Sequence, residues 1–353
     1  MEPNPFFRPE VVLPAAEFLD SRACYLATVS DNDRLLACLP VRSSTRWGRA
    51  LLPMVRTWKH QYCFLGTPLV DSDPSVGPAA LRRLMSGLRE CPGRPQVALL
   101  EMVNMDGPLA SWMRPLMAVA GGSAVMYGSR TRGILHRSVC EGPDVRLARR
   151  RLRLRRRLER EIGAPVQLVD RSDAVGVESF LQLEASGWKG RQGSALASNP
   201  NHAQLLRRWS ATLEEEQRLQ VLFLQAGDLP LAAQVNVLDG DGLFGFKVAY
   251  DERFARRSPG VLLELEAREL WCANGPGTFV DSCAGENNRI INRVFPGRRS
   301  LGTLLLPLGG LVSSAAVATA PHVGKYVHRW LSPREAASAP IDGTPASTEA
   351  SGP

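Results

Sequence analysis

The chain has 353 residues, 44% hydrophobic and 22% charged, with a formal net charge of +8. Those values leave room for two domains of ordinary size and exclude a chain that is disordered throughout. The basic charge comes from 39 arginines and only four lysines, Lys59, Lys189, Lys247 and Lys325.

The first fourteen residues read as an irregular lead. Nothing in 1–20 has the basic start and long apolar core of a signal peptide, so a cytoplasmic protein is expected. Residues 25–30 and 35–41 read as strands around the turn Asp31-Asn32-Asp33-Arg34. Further strands are predicted at 47–55, 62–65 and 97–102, with helices at 79–88 and 109–120. Alternating strands and helices favour α/β. No phosphate loop is visible in this half, because Gly121-Gly122 lacks a strand–helix context.

Residues 146–162 read RLARRRLRLRRRLEREI. Leu147, Leu154, Leu158 and Ile162 form one apolar stripe and the arginines fill the other faces. A connector helix explains the run more economically than contact with RNA or an anionic membrane. Past it, 166–169 reads as a strand and 175–186 as a helix burying Val177, Phe180, Leu181 and Leu183. The loop Gly187-Trp188-Lys189-Gly190-Arg191-Gln192-Gly193 follows. Lysine is scarce here, and a glycine-flanked Trp-Lys pair on a loop is a functional candidate.

A helix at 202–216 and strands at 219–225 and 231–238 lead to the most informative stretch, 243–273. It starts as an apolar strand through Phe246, Val248 and Tyr250 and ends as a helix with Val261, Leu262, Leu265 and Leu270. Arg256-Arg257-Ser258-Pro259-Gly260 lies between them. Unpaired N–H groups and partial positive charge at a helix start attract phosphate, and Gly lets it approach. An ordinary helix start, with Ser258 as N-cap and Pro259 in the first turn, is the competing reading. A strand at 278–282 comes next.

Three stretches carry a family resemblance. Ala249-Tyr250-Asp251-Glu252 followed by Ser258-Pro259-Gly260-Val261-Leu262-Leu263 resembles the acyl-CoA loop of the CelD-like branch of the GNAT acetyltransferases, a branch associated with cellulose and exopolysaccharide biosynthesis. Glu184-Ala185-Ser186-Gly187-Trp188-Lys189-Gly190 resembles that branch's Ser-x-Trp-Lys-Gly segment. Leu65-Gly66-Thr67-Pro68-Leu69-Val70-Asp71 resembles its turn in the first half. The branch is related to the FemAB-like aminoacyltransferases.

The resemblance implies an α/β fold of two tandem GNAT-like (acyl-CoA N-acyltransferase) domains, with mixed central sheets flanked by helices. Implied units are a degenerate domain at 15–145, the connector helix at 146–163 and a catalytic domain at 164–300. An apolar segment at 301–332 and a disordered tail at 333–353 complete the chain. The implied reaction is transfer of an acetyl or other acyl group from acetyl-CoA or a related donor to an amine or hydroxyl. The acceptor would be a small molecule or glycan-linked, in polysaccharide or envelope synthesis. Lys247, Val248, Arg256, Arg257, Ser258, Pro259, Gly260 and Val261 would bind the cofactor. Trp188, Tyr250 and Asp251 would bind substrate. Lys189 would stabilise charge, and Asp281 or Glu286, with Glu184 behind them, would act as base. Gly285-Glu286-Asn287-Asn288-Arg289 departs from the pattern, since the tyrosine and lysine usual in that segment are missing.

Two competing readings stand: an aminoacyl-tRNA-dependent transferase, and a non-catalytic scaffold in exopolysaccharide assembly. DNA is not an expected partner and RNA is the weaker expectation. Residues 300–320 carry no charge, but Pro307 and several Gly, Ser and Thr residues favour a packed segment over a membrane span. Peripheral membrane contact stays open, flanked by Arg298, Arg299, Lys325 and Arg329, as does the oligomeric state. The scattered cysteines include no Cys-x-x-Cys pair, so no metal site is expected. Reduced thiols are predicted for all seven.

Overall fold

The computed structural model describes residues 1–20, 24–46, 51–119, 124–142, 144–310 and 313–319. The expected lead is not irregular. Pro5–Phe7 form a 3-10 turn and Pro9–Phe18 form helix α1. Asn4 fixes the start, donating its N–H to Asp239 (2.7 Å) and its side-chain amide to Thr67 O (2.7 Å). Phe6 then packs edge-on against Phe64 from the first half and Phe244 from the second. Burying such a ring is worth about 2–3 kcal/mol.

Strands β1 (Tyr25–Asp31) and β2 (Arg34–Ser44) form the expected hairpin. β3 (Met54–Thr57), β4 (Leu69–Val70), α2 (Gly77–Gly87), β5 (Val97–Asn104), α3 (Pro108–Val119) and β6 (Val125–His136) complete the first half. Residues 62–65, expected as a strand, are not one. The expected strand start at 47–50, and Gly121-Gly122, lie outside the described residues.

Helix α4 (Val145–Ile162) is the arginine-rich run. Asp144 caps it by accepting from Arg146 N and Leu147 N, and Gly163 ends it at φ 76°. Leu158 is fully buried, with Leu154 and Ile162 beside it. Arg151 and Arg155 each donate to Glu266 at 3.0 Å. Glu161, near the C-terminal end of α4, forms an ion pair with Arg257.

The second half continues with β7 (Gln167–Asp170), α5 (Ala174–Ser186), α6 (Trp188–Arg191), α7 (Pro200–Glu215), β8 (Leu219–Ala226), β9 (Leu229–Asp239) and β10 (Gly242–Tyr250). Then come α8 (Pro259–Asn274), β11 (Phe279–Asp281), α9 (Ile291–Val294) and β12 (Gly297–Pro307).

All the strands share one mixed sheet in the order β1-β2-β3-β5-β12-β6-β11-β10-β9-β8-β7, with β4 on β2. The order is nearly symmetric about β12 and β6. A parallel pair lies on each side, β3 with β5 and β10 with β11. Each half thereby borrows a central strand from across the seam. β12 lies between β5 and β6, so the apolar segment expected from residue 301 begins inside a central strand. This is a mixed α/β fold, a large sheet flanked by helices.

The halves differ at the gap beside the parallel pair. In the first half, residues 58–67 fill it: Trp58 N–H donates to Pro40 O (2.8 Å) and Gly66 N–H to Met102 O (2.9 Å). A Cβ on Gly66 would lie 1.9 Å from Glu101 O, so only glycine lets the chain pass there. In the second half the gap is open.

Cys140 and Cys272 are joined in a disulfide, which corrects the expectation that all thiols are reduced. They are 132 residues apart in sequence, and only the packing of α8 beside the end of β6 brings them together. Among the described residues, no helix is long and apolar enough to cross a membrane. Lys325 and Arg329 lie outside those residues.

Candidate functional site

β10 pairs in parallel with β11 over only three residues, Gly242–Phe244 against Phe279–Asp281. β10 then runs on to Tyr250 with β9 on its other side, past a bulge between Gly245 and Lys247. Its far half therefore has an open edge. Asp251 N–H donates to Leu231 on the β9 side (2.8 Å). By strand alternation, the backbone groups of Val248 and Tyr250 face the opening.

The N-terminus of α8 closes one end of this opening. Ser258 is left-handed (φ 56°), and no side chain caps the helix. The N–H groups of Gly260 and Val261 thus lack partners within the helix. A Cβ on Gly260 would touch the Tyr250 ring at 3.4 Å, so a larger side chain would crowd the entrance. Together these elements enclose a cavity of about 640 Å³, lined among others by Trp188, Lys189, Lys247, Val248, Tyr250 and Gly260.

Lys189 is not a solvated loop residue. Its ammonium donates to the Val248 carbonyl (2.8 Å) and to Glu184 Oε1 (3.2 Å). Lys247 reaches the same oxygen at 3.1 Å, and Leu196 N–H donates to Glu184 Oε2 at 2.8 Å. Burial pushes the Glu184 carboxyl up, but Lys247 and Lys189 outweigh it and leave the pKa lowered. Burial lowers the pKa of Lys189, against the pull of Glu184. Two ammonium groups and one carboxylate leave a local charge of +1 at the opening.

Five of the expected site residues are held in other contacts or lie off the cavity wall. Asp281 contributes to the cavity wall, but its side chain is fully buried between Arg132 (2.7 Å) and Arg299 (2.6 Å). Burial raises its pKa, the two arginines overcome that, and the net shift is downward. An anion so held is a poor base. Glu286 is exposed and accepts from the Thr131 hydroxyl at 3.3 Å, outside the lining. Asp251 accepts from Arg253 N–H and ion-pairs with that side chain at 2.6 Å, a turn-capping role. Arg257 is taken by Glu161, and exposed Arg256 is not part of the wall. Ser258, Pro259, Gly260 and Val261 do line it.

No motif or spacing in the chain points to Glu264. It lines the cavity from α8, half-buried, with no hydrogen bond or ion pair among the described residues. Burial pushes its pKa up to about 7. Arg268, one turn on, also lines the cavity and has a buried Nε without a partner. Helical periodicity alone puts Glu264 on a solvated face. Among the described residues no cluster of His, Cys, Asp and Glu could hold a metal ion.

Residues 146–288 match the family model described as an acetyltransferase (GNAT) domain. No curated protein matches the chain. Solved structures share the fold at low identity. The C-terminal domain (DUF2156) of a putative lysylphosphatidylglycerol synthetase from Agrobacterium fabrum is 12% identical, with 89% of this chain and 96% of that one covered and a TM-score of 0.51. L-PGS from Bacillus licheniformis is 13% identical, covering 94% and 99%, with a TM-score of 0.51. FemX is 10% identical, covering 84% and 89%, also with a TM-score of 0.51. The open edge of β10, the uncapped start of α8 and the Glu184–Lys189–Lys247 cluster thus all lie in a segment that matches a GNAT acetyltransferase domain.

Proposed function

We propose that the chain transfers an acyl group from acyl-CoA to an amine or hydroxyl acceptor, in polysaccharide or cell-envelope synthesis. The observation that carries this reading is the uncapped N-terminus of α8 opening onto the free edge of β10 within one cleft. The N–H groups of Gly260 and Val261 would hold the pyrophosphate. The backbone of Val248 and Tyr250 would pair with the amide-bearing arm. When bound, the donor supplies an activated thioester carbonyl.

The chain's own residues position the reactants, stabilise charge and move one proton. Lys189 and Lys247 carry positive charge to the end of the opening where oxygen would become negative. Glu264 is the remaining base, because the other carboxylate in the wall, Asp281, is ion-paired. A pKa of about 7 suits proton removal near neutrality. Trp188 and Tyr250 would contact substrate at the rim.

The test is ligand-induced stabilisation. Acetyl-CoA is expected to raise the melting temperature of the wild type but not of Gly260→Asp, which puts negative charge at the helix start. Equal shifts in both proteins would exclude this site. The aminoacyl-tRNA alternative finds support in one feature. Arg146, Arg149, Arg153 and Arg156 form an exposed row on α4 with no ion pair among the described residues. Salt-dependent tRNA binding, with no response to CoA, would favour that alternative.

A further inference from the structure

On β9, side chains of even number face α8. Ala232 packs in the apolar cluster with Leu262 and Leu263, and Leu238 packs against the cluster with Leu265. Between them, on the same face, are Gln234 and Asn236, only 5% and 6% exposed. β8 adds Gln220 beside them, whose Oε1 accepts from Asn236 Nδ2 at 2.9 Å. The Gln234 side chain makes no hydrogen bond among the described residues, and all three amides line the cavity. A carboxamide with no protein partner, set in the cavity wall where a leucine would pack well, leaves its N–H and C=O groups to whatever fills the cavity.

The amides have a definite place. Asn236 is opposite Gly245 and Gln234 is opposite Val248. They flank the bulge where β10 parts from β11, farther into the cavity than the α8 N-terminus.

We propose that this chamber receives the transferred group itself, and that the group is a short acyl chain bearing a hydroxyl rather than a plain hydrocarbon. This rests on the acyl-CoA reading above. A hydroxyl donates one hydrogen bond and accepts two, which a carboxamide with a free N–H and C=O can answer. A site built for a hydroxyl discriminates strongly against the analogue lacking it, because its own polar groups are then stranded.

The experiment measures dissociation constants calorimetrically for free CoA, butyryl-CoA and 3-hydroxybutyryl-CoA. The wild type is expected to bind the hydroxy ester at least tenfold more tightly than butyryl-CoA. In Gln234→Leu that ratio should fall below threefold while free CoA binds as before. Asn236→Leu, with the same expected direction, serves if the first variant melts early. Equal binding of the two esters by the wild type, with free CoA still bound, overturns the hydroxyacyl chamber alone. An unchanged preference in the folded variants does the same. Failure of all three ligands to bind overturns the acyl-CoA reading and this inference together.

Discussion

Replacing Asp281 with asparagine separates a structural carboxylate from a catalytic one. Asp281 on β11 is contacted by Arg132 on β6 and Arg299 on β12, at 2.7 and 2.6 Å. It also accepts from Cys283 N–H at 2.9 Å. Two of the strands carrying these groups, β6 and β12, are those exchanged at the seam, and β11 lies beside β6. A neutral amide at this position would leave two guanidinium groups buried with no anion between them, since arginine does not deprotonate. Breaking a buried pair from one side costs roughly 3–5 kcal/mol. A melting temperature lower by roughly 6 °C or more is expected for Asp281→Asn. Acyl transfer measured well below that melting point should stay within about threefold of wild type. The reverse pattern, an unchanged melt with a thousandfold loss of turnover, would refute the structural role and restore Asp281 as the base.

Three further outcomes are expected. Glu264 has its folded pKa raised from 4.5 to about 7. The folded state therefore binds more protons than the unfolded state between those values, and stability falls as pH rises through that window, by at most about 3 kcal/mol. Glu264→Gln should flatten that slope in pH-dependent urea denaturation and abolish the acid limb of the kcat/KM profile; a retained slope and limb would assign both to another group. Lys189→Ala leaves Glu184 paired with Lys247, so the variant should fold and lose at least about tenfold in turnover, or 1.4 kcal/mol; full turnover would make Lys189 purely structural. On α4, Arg151→Gln with Arg155→Gln strands Glu266 and should destabilise by roughly 3 kcal/mol. Glutamine in place of Arg149, Arg153 and Arg157 should change thermal stability by less than about 0.5 kcal/mol, and equal losses in the two sets would contradict the ion-pair geometry.

Much of the secondary structure was legible because periodicity reports which faces are buried. The strand at 243–250 and the helix after Ser258 appear at β10 and α8, and the apolar stripe of α4 faces Leu222, Leu224 and Leu262. The Arg-Arg pair was misleading for the same reason it was noticed. Charge adjacent to a phosphate-binding pattern suggests a partner, but Arg257 had a nearer one in Glu161.

What the sequence by itself determined is local: where strands and helices begin, which glycine opens a helix start, and which lysines are scarce enough to matter. Such features depend on residues within a few positions of one another, so the chain carries them in order. The tertiary structure alone decided that β12 returns to the first half, that Cys140 meets Cys272, and that Asp281 is locked between two arginines. It also decided that Glu264 and Gln234 face a cavity rather than water and aliphatic core. Each of these is a meeting of residues far apart in sequence, fixed by the pairing of strands across the seam and by how α8 lies on the sheet.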